Sequence, residues 1–210
     1  MTNKKITYWM LGVGLLLQIV TFILTHDSFL SFFSGIMGVF AVVFCSERKM
    51  SYYVFSIMQM ATFFIICLQE NLYAKLFEQV FYLITTVFGI IIWKCNLDID
   101  KLVNPKKLET NTLIAILLAC FGLSVTVGCI LSDYNSSQPF LDSTTTVYAL
   151  AAQILMMLRY RENWILWFIV DILCIWLFVN QQNWCMTMQY VFWSANTVYG
   201  FILWKNFEEK

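Results

Sequence analysis

The sequence has 210 residues, of which 60% are hydrophobic and only 12% are charged. Soluble globular domains average about 25% charged residues, so this composition excludes an ordinary soluble protein and is typical of a chain embedded in a membrane. The formal net charge is zero, which gives no reason to expect a nucleic-acid partner. Two prolines in the whole chain leave nearly all of it free to form helix, so we predict an all-α integral membrane protein.

Eight apolar runs follow one another along the chain, most of them roughly 17 to 21 residues long. A helix needs about 20 apolar residues to cross a hydrocarbon core of about 30 Å, so each run predicts one transmembrane helix. The connections are short and polar, except for one long loop at 94–110. The predicted spans are Trp9–Thr25, Phe29–Cys45, Tyr52–Leu68, Leu76–Trp93, Leu113–Leu131, Leu141–Leu158, Asn163–Val179 and Trp184–Trp204.

The positive charges support eight spans. With eight crossings, twelve of the thirteen Lys and Arg residues fall on the N-terminal side of the membrane, and only Lys75 falls on the other. Cytoplasmic loops carry such an excess of Lys and Arg. The sequence therefore predicts that both termini are cytoplasmic.

An internal repeat with a shift of 111 residues relates the two halves of the chain. The shift superimposes seven identical residues within 14 positions, namely Phe81, Thr86, Val87, Gly89, Ile91, Trp93 and Lys94 on Phe192, Thr197, Val198, Gly200, Ile202, Trp204 and Lys205. Four crossings separate the copies, so the three-helix repeats are parallel, and substrate sites of such transporters lie at the repeat interface. We predict an N-terminal extra helix (1–28), a first repeat (29–96), a cytoplasmic loop with a linker helix (97–131) and a second repeat (132–210).

The seventh span carries the strongest functional signal. Trp164, Trp167 and Asp171 lie at i, i+3 and i+7, so they share one helix face, and Asp171 lies near mid-span. A charge at that depth costs about 2.5–3.5 kcal/mol, so the acid must face protein, water or a ligand. It either ties helices together as a neutral or paired acid, or it binds a cationic ligand, since no Lys or Arg lies deep enough to pair with it.

The two indoles are either interfacial belt residues or a stacking wall for a flat cationic ring, which an indole face attracts by roughly 0.5–2 kcal/mol. Asn163 offers donors and acceptors for hydroxyl groups at the mouth of the site. Further polar side chains recur at equivalent places in the two repeats, which favours a shared cavity, although buried amides also join helices as structural hydrogen bonds. These candidates are Gln59, Gln79, Tyr82, Thr86, Tyr190, Trp193 and Asn196 or Thr197.

Catalytic chemistry has no candidate residues in this sequence. It has no Walker A stretch, no HExxH motif and no His/Cys cluster with metal-ligand spacing, and its one histidine, His26, lies at a helix end. The seven cysteines show no CxxC pair and are interpreted as apolar packing residues. We therefore predict neither an enzyme nor a bound cofactor or metal.

The chain from about 29 to 206 resembles the Pnu family of bacterial vitamin transporters. The resemblance rests on Gln79-x2-Tyr82-x6-Gly89-x3-Trp93-Lys94, on Asn163-Trp164-x2-Trp167-x3-Asp171 and on Gly200-x3-Trp204-Lys205. It implies a SWEET-like core of seven helices, with two parallel three-helix repeats joined by a linker helix. It also implies a homotrimer in the bacterial inner membrane that imports nicotinamide riboside by facilitated diffusion, and a cytosolic nucleoside kinase that traps the substrate. Trp164, Trp167, Asp171 and Gln79 would then contact the substrate.

The residues agree with that ligand. Nicotinamide riboside has a pyridinium ring for indole stacking, a carboxamide for Asn or Gln, and ribose hydroxyls for Asp171. Thiamine is also an aromatic cation, so thiamine or another flat vitamin stays an alternative substrate. A non-transporting membrane protein whose polar residues only join helices, and ion-coupled import through Asp171, are the other hypotheses.

Overall fold

The computed structural model describes residues 4–26, 28–69, 73–133 and 138–208, and these form eight α-helices. Every predicted span lies within one helix, except that Leu158 falls one residue beyond its helix, so the all-α prediction is confirmed. The helices extend past most of the apolar runs because polar residues at the ends continue the backbone hydrogen bonding. The helices are α1 (Lys4–Thr25), α2 (Phe29–Ser46), α3 (Ser51–Gln69), α4 (Tyr73–Lys94), α5 (Thr110–Asp133), α6 (Pro139–Met157), α7 (Asn163–Asn180) and α8 (Trp184–Glu208).

Five of the eight helices (α1, α2, α3, α5 and α7) are long and apolar enough to cross a membrane by length and composition alone. Polar side chains make the other three less apolar: α6, for example, carries Asp142 and a Ser-Thr-Thr-Thr run in its first two turns. Large apolar side chains are exposed on the outside of the bundle, including Trp9, Leu118 and Trp176. Such an apolar exterior suits contact with lipid rather than with water.

Six helices form a closed ring. Along it, α2 packs on α3, α3 on α4, α4 on α6, α6 on α7, α7 on α8, and α8 returns to α2. In that order α3 and α7 stand opposite each other. The remaining two helices pack on the outside, α1 against α2 and α8 and α5 against α6. Each outer helix thus precedes, and packs on, the first ring helix of one repeat.

The two repeats close the ring by an exchange of hydrogen bonds. The indole Nε1 of Trp93, at the end of α4, donates to the backbone carbonyl of Met156 in α6 over 3.1 Å. The indole Nε1 of Trp204, in α8, donates to the carbonyl of Cys45 in α2 over 3.3 Å. The 111-residue shift maps one bond onto the other, because it carries Trp93 to Trp204 and Cys45 to Met156. Both indoles are fully buried, and their ring centroids lie 5.8 Å apart.

The connection between α4 and α5, residues 95–109, crosses the same end of the ring, and we call it the belt loop. Arg48 Nη1 donates to the carbonyl of Val103, and Arg159 Nη1 donates to the carbonyl of Asn104, each over 2.8 Å. Both arginines have positive φ angles, 61° and 69°. Burial lowers the pKa of Arg48, while Asp98, with Oδ2 3.9 Å from Nη1, acts in the opposite direction. Two equivalent guanidinium groups therefore hold one loop against both repeats.

Replacing either clamping arginine is expected to release the belt loop. Arg48→Ala or Arg159→Ala removes a buried charged hydrogen bond, so we expect a loss of about 1.5–3 kcal/mol of stability and faster proteolysis of the belt loop. Thermal unfolding in detergent and limited proteolysis measure the two effects.

Lys101→Ala is the matched control, because Lys101 also has a positive φ angle, 58°, but its side chain is exposed. An equal loss of stability in Lys101→Ala would contradict the clamp, since it would trace the effect to the strained backbone.

Candidate functional site

The ring encloses a cavity of about 780 Å³, lined by all six ring helices and by α1. That volume is in the range of small-molecule sites, about 300–1,000 Å³. Toward the belt loop the lining ends at Cys45 and Met156, whose sulfur atoms lie 3.3 Å apart, and the buried Trp93 and Trp204 indoles lie nearby. At the other end the lining reaches Thr25 and Ser31, close to helix ends. The cavity therefore runs along most of the bundle.

One face of α7 forms part of the wall. Trp164, Trp167 and Asp171 all line the cavity, as their spacing predicted. The Trp164 indole fits against Gly200, where an added Cβ would lie 2.7 Å from its Cε2 atom. It also packs edge-to-face on Trp204, with ring centroids 5.6 Å apart and planes at 89°. Its Nε1 is buried without a hydrogen-bond partner in the described chain.

Asp171 is buried and has one hydrogen-bond partner among the described residues. Its Oδ2 accepts a hydrogen bond from Thr197 Oγ1 in α8 over 2.9 Å. Within the ranges that the structure covers, the other oxygen accepts no hydrogen bond and no Lys or Arg pairs with the acid. The acid therefore joins α7 to α8 and also presents a carboxylate oxygen to the cavity. The structural interpretation thus applies to Oδ2, which bonds to Thr197, and the ligand-binding interpretation applies to Oδ1.

Other predicted site residues face the cavity from opposite sides. Gln59 reaches it from α3, Gln79 and Tyr82 from α4, and Tyr190, Trp193 and Asn196 from α8. Tyr190 packs edge-to-face on Trp193, with centroids 4.9 Å apart, so α8 adds an aromatic surface beside the α7 indoles.

Asn196 has a structural role as well. Its Oδ1 accepts a hydrogen bond from Ser46 Oγ over 3.1 Å, and its Nδ2 donates to the Val42 carbonyl over 3.3 Å. Both partners belong to α2, so this amide joins α8 to α2 across the seam between the repeats. One N–H and one oxygen lone pair of the carboxamide remain for a ligand.

Asn163 is not brought to the cavity. As the first residue of α7, it points back into the preceding turn, where its Nδ2 donates to the Tyr160 carbonyl over 2.6 Å. Thr86 likewise lies outside the cavity lining, and its hydroxyl is buried without a partner among the described residues. Neither side chain is in place to contact a ligand in this structure.

Several lining residues were not predicted from the sequence. Gln18 of α1, Gln153 of α6 and the carboxylates of Glu78 and Asp142 all face the cavity. Glu78 Oε1 accepts a hydrogen bond from Thr146 Oγ1 over 3.1 Å, which joins α4 to α6. The signal for Gln18 was visible, because it is the single amide in an otherwise apolar first span. Glu78 and Asp142 lie near helix ends, where a carboxylate is ordinary.

The charged side chains of the described cavity wall are all acidic. The charged lining residues are Glu78, Asp142 and Asp171, and the described lining contains no Lys, Arg or His. A cavity with acidic groups and indoles suits a cationic aromatic ligand, because both the carboxylates and the ring faces attract positive charge.

Comparison with known proteins agrees with this geometry. The family model described as nicotinamide mononucleotide transporter matches residues 28–206. The nicotinamide riboside transporter PnuC of Haemophilus influenzae is 31% identical over 203 residues, covering 92% of this chain and 87% of that protein. The nicotinamide riboside transporter PnuC of Neisseria mucosa is 28% identical over 216 residues, covering 97% of this chain and 81% of that protein.

A solved structure shares the fold. The crystal structure of the vitamin B3 transporter PnuC has a TM-score of 0.78 and 26% sequence identity, and the match covers 100% of this chain and 93% of that one. These relatives are transporters and not enzymes. The resemblance seen in the sequence is thus confirmed, and the chain belongs to the Pnu family of membrane transporters.

Proposed function

We propose that this transporter carries nicotinamide riboside. The observation that carries the proposal is the α7 wall, where Trp164 and Trp167 precede a carboxylate that has no cationic partner in the described chain. A pyridinium ring can stack on the indoles, and the ribose hydroxyls can donate to Asp171. The relatives named nicotinamide riboside transporter support the same substrate. Thiamine remains the second candidate, since it also offers an aromatic cation, but it lacks the ribose.

The negative charge of the cavity wall favours the riboside over its phosphorylated form. A phosphate monoester carries about −1.5 to −2 charges at pH 7 and needs cationic or N–H partners. The lining carboxylates Glu78, Asp142 and Asp171 would repel it, and the described wall offers no Lys or Arg to compensate. The substrate we propose is therefore the nucleoside, whose net charge is positive.

We propose facilitated diffusion as the mechanism, with trapping by a cytosolic nucleoside kinase. Asp171 is the one acid near the middle of a described helix, and its hydrogen-bond partner among the described residues is a threonine, which supports a mechanism without proton coupling. The belt-loop end is assigned to the cytoplasm of a bacterial inner membrane, because the Lys and Arg residues concentrate there. The homotrimer stays a prediction from the family resemblance.

Replacing Asp171 by Asn tests the substrate and the acid together. Nicotinamide riboside at a hundredfold excess over Kd is expected to stabilise the parent protein by about 2.7 kcal/mol, and nicotinamide mononucleotide to have no effect. Asp171→Asn keeps an acceptor for Thr197 but loses the charge, so we expect Kd to rise about tenfold to hundredfold. Ligand-dependent thermal unfolding in detergent measures both.

Apo stability distinguishes the two roles of the acid. It should be unchanged or higher in Asp171→Asn, because an uncompensated buried charge is removed. Unchanged affinity in this variant would leave Asp171 as a structural residue. Stabilisation of the parent by thiamine alone would keep the fold and replace the substrate.

Gly200→Ala is expected to displace the Trp164 indole. The added Cβ would lie 2.7 Å from Cε2 and 2.9 Å from Cη2, so the ring must shift away from its place in the wall. We expect lower thermal stability together with at least tenfold weaker binding of nicotinamide riboside, measured by calorimetry on the folded protein.

Two glycine variants serve as controls. Gly89→Ala would force a Cβ against the Tyr53 side chain at the equivalent place in the first repeat, yet Tyr53 does not line the cavity. It should lower stability and spare affinity. Gly122→Ala meets nothing within 4 Å and should change neither. Equal loss of affinity in Gly89→Ala and Gly200→Ala would contradict a specific role for the Trp164 ring.

Transport into liposomes tests the mechanism. With the membrane potential clamped at zero, uptake of the cationic labelled nicotinamide riboside is expected to stop at equal inner and outer concentrations, and a protonophore should not change its initial rate. Liposomes that contain a nucleoside kinase and ATP should accumulate the label beyond that level as the phosphorylated product. Accumulation driven by an imposed proton or sodium gradient would contradict facilitated diffusion.

A further inference from the structure

The outer helix α1 sends the carboxamide of Gln18 into the bundle. Its buried residues, Thr7, Gly14 and Gln18, lie on one face, which packs on α2 and α8. Thr7 donates a hydrogen bond to Glu47, and Gly14 lets Val39 and Phe192 approach closely. Gln18 is only 7% exposed and lines the cavity. The family model begins at residue 28, so α1 lies outside the part of the chain that it matches.

Gly35 makes room for this side chain. A Cβ on Gly35 would overlap the Gln18 carboxamide, with Cδ only 2.8 Å away. One turn further along α2, a Cβ on Gly38 would lie 3.0 Å from Nε2 of Gln59, which arrives from α3. Residues three apart lie on one side of a helix. Two glycines of α2 thus hold two carboxamides side by side, one from the outer helix and one from the ring.

Neither carboxamide has a hydrogen-bond partner among the residues that the structure describes. Across the residues that the structure describes, no side-chain hydrogen bond involves Gln18 or Gln59, although both line the cavity. Gln18 is buried and Gln59 is half-buried, so their unpaired carboxamides are left to form hydrogen bonds with what occupies the cavity. Gln59 lies opposite Asp171, because α3 and α7 face each other across the ring and the two residues stand at matching distances from the starts of their helices.

We propose that Gln18 is a substrate-positioning residue, and that Gln18 and Gln59 together bind a neutral group that both donates and accepts hydrogen bonds. The proposal rests on the proposed function, for which that group is the carboxamide of nicotinamide riboside. Each glutamine offers an N–H donor and a carbonyl acceptor, which is the complement of a carboxamide. The ligand ring would lie on the α7 indoles, while its amide would point toward α2.

A comparison of two ligands on the parent protein and on a Gln18 variant tests whether Gln18 binds the carboxamide. Calorimetry is performed with nicotinamide riboside and with N-ribosylpyridinium, which keeps the charge and ribose but lacks the carboxamide. Gln18→Ala is expected to weaken binding of nicotinamide riboside about threefold to tenfold, the effect of one hydrogen bond, and to leave binding of N-ribosylpyridinium unchanged. Equal weakening of both ligands would overturn the proposal, because it would indicate a shifted helix.

The close contact between Gly35 and the Gln18 carboxamide supplies an independent test. Gly35→Ala should displace the amide and weaken binding of nicotinamide riboside as Gln18→Ala does, and the double variant should be no weaker than Gln18→Ala alone. Gly12→Ala, also in α1, meets nothing within 4 Å and is the control. Additive losses would overturn the proposal, since Gly35 would then act without Gln18.

Two outcomes separate this inference from the proposed function. Parent-like binding of both ligands by Gln18→Ala, with binding lost in Asp171→Asn, would overturn the role of Gln18 and leave the transporter assignment in place. Failure of the folded parent protein to bind nicotinamide riboside would overturn the proposed function, and the inference with it.

Discussion

Two reciprocal indole hydrogen bonds hold the ring together at the belt-loop end. Trp93 reaches from the first repeat to the end of α6, and Trp204 reaches from the second repeat to the end of α2. Both indoles are fully buried, so removing either carbonyl partner would leave an unpaired N–H that water cannot reach. Because the bonds cross between repeats, they fix α3 opposite α7. The wall of indoles and carboxylate on α7 faces the α3 carboxamide for that reason.

The sequence was sufficient for the helices and for the α7 wall because both depend on period and length. An apolar run of the right length specifies a span, and residues at i, i+3 and i+7 share a face in any helix. The 111-residue shift places Trp93 on Trp204, and these two residues lie where the two repeats meet. The shift therefore identified the interface between the repeats, where the cavity lies. These inferences need no knowledge of neighbouring helices. The chain boundaries of the two repeats rest on the same pattern.

The remaining site residues depend on the rotation of each helix about its axis, which the sequence does not specify. The carboxamide of Asn163 could bind a ligand by its chemistry. Its position in the first turn of α7, however, directs it to the Tyr160 carbonyl. Gln18 lies on a helix outside the repeat, and it reaches the cavity only because Gly35 has no side chain in its way. Glu78 and Asp142 lie near helix ends, and they gain significance only because the ring places them around one cavity. Contacts between helices decide each case.

The exchange between Trp93 and Trp204 has a consequence for the origin of the fold. Each repeat supplies one donor and one acceptor, so two identical three-helix chains related by a true two-fold axis would satisfy the same contacts. Such an isologous dimer needs no linker helix and no second sequence. Fusion into one chain would then free each half to diverge. The shift that preserves the tryptophans carries Met60 onto Asp171 and Gln79 onto Tyr190, so the two halves share a scaffold and differ in what they present to the ligand.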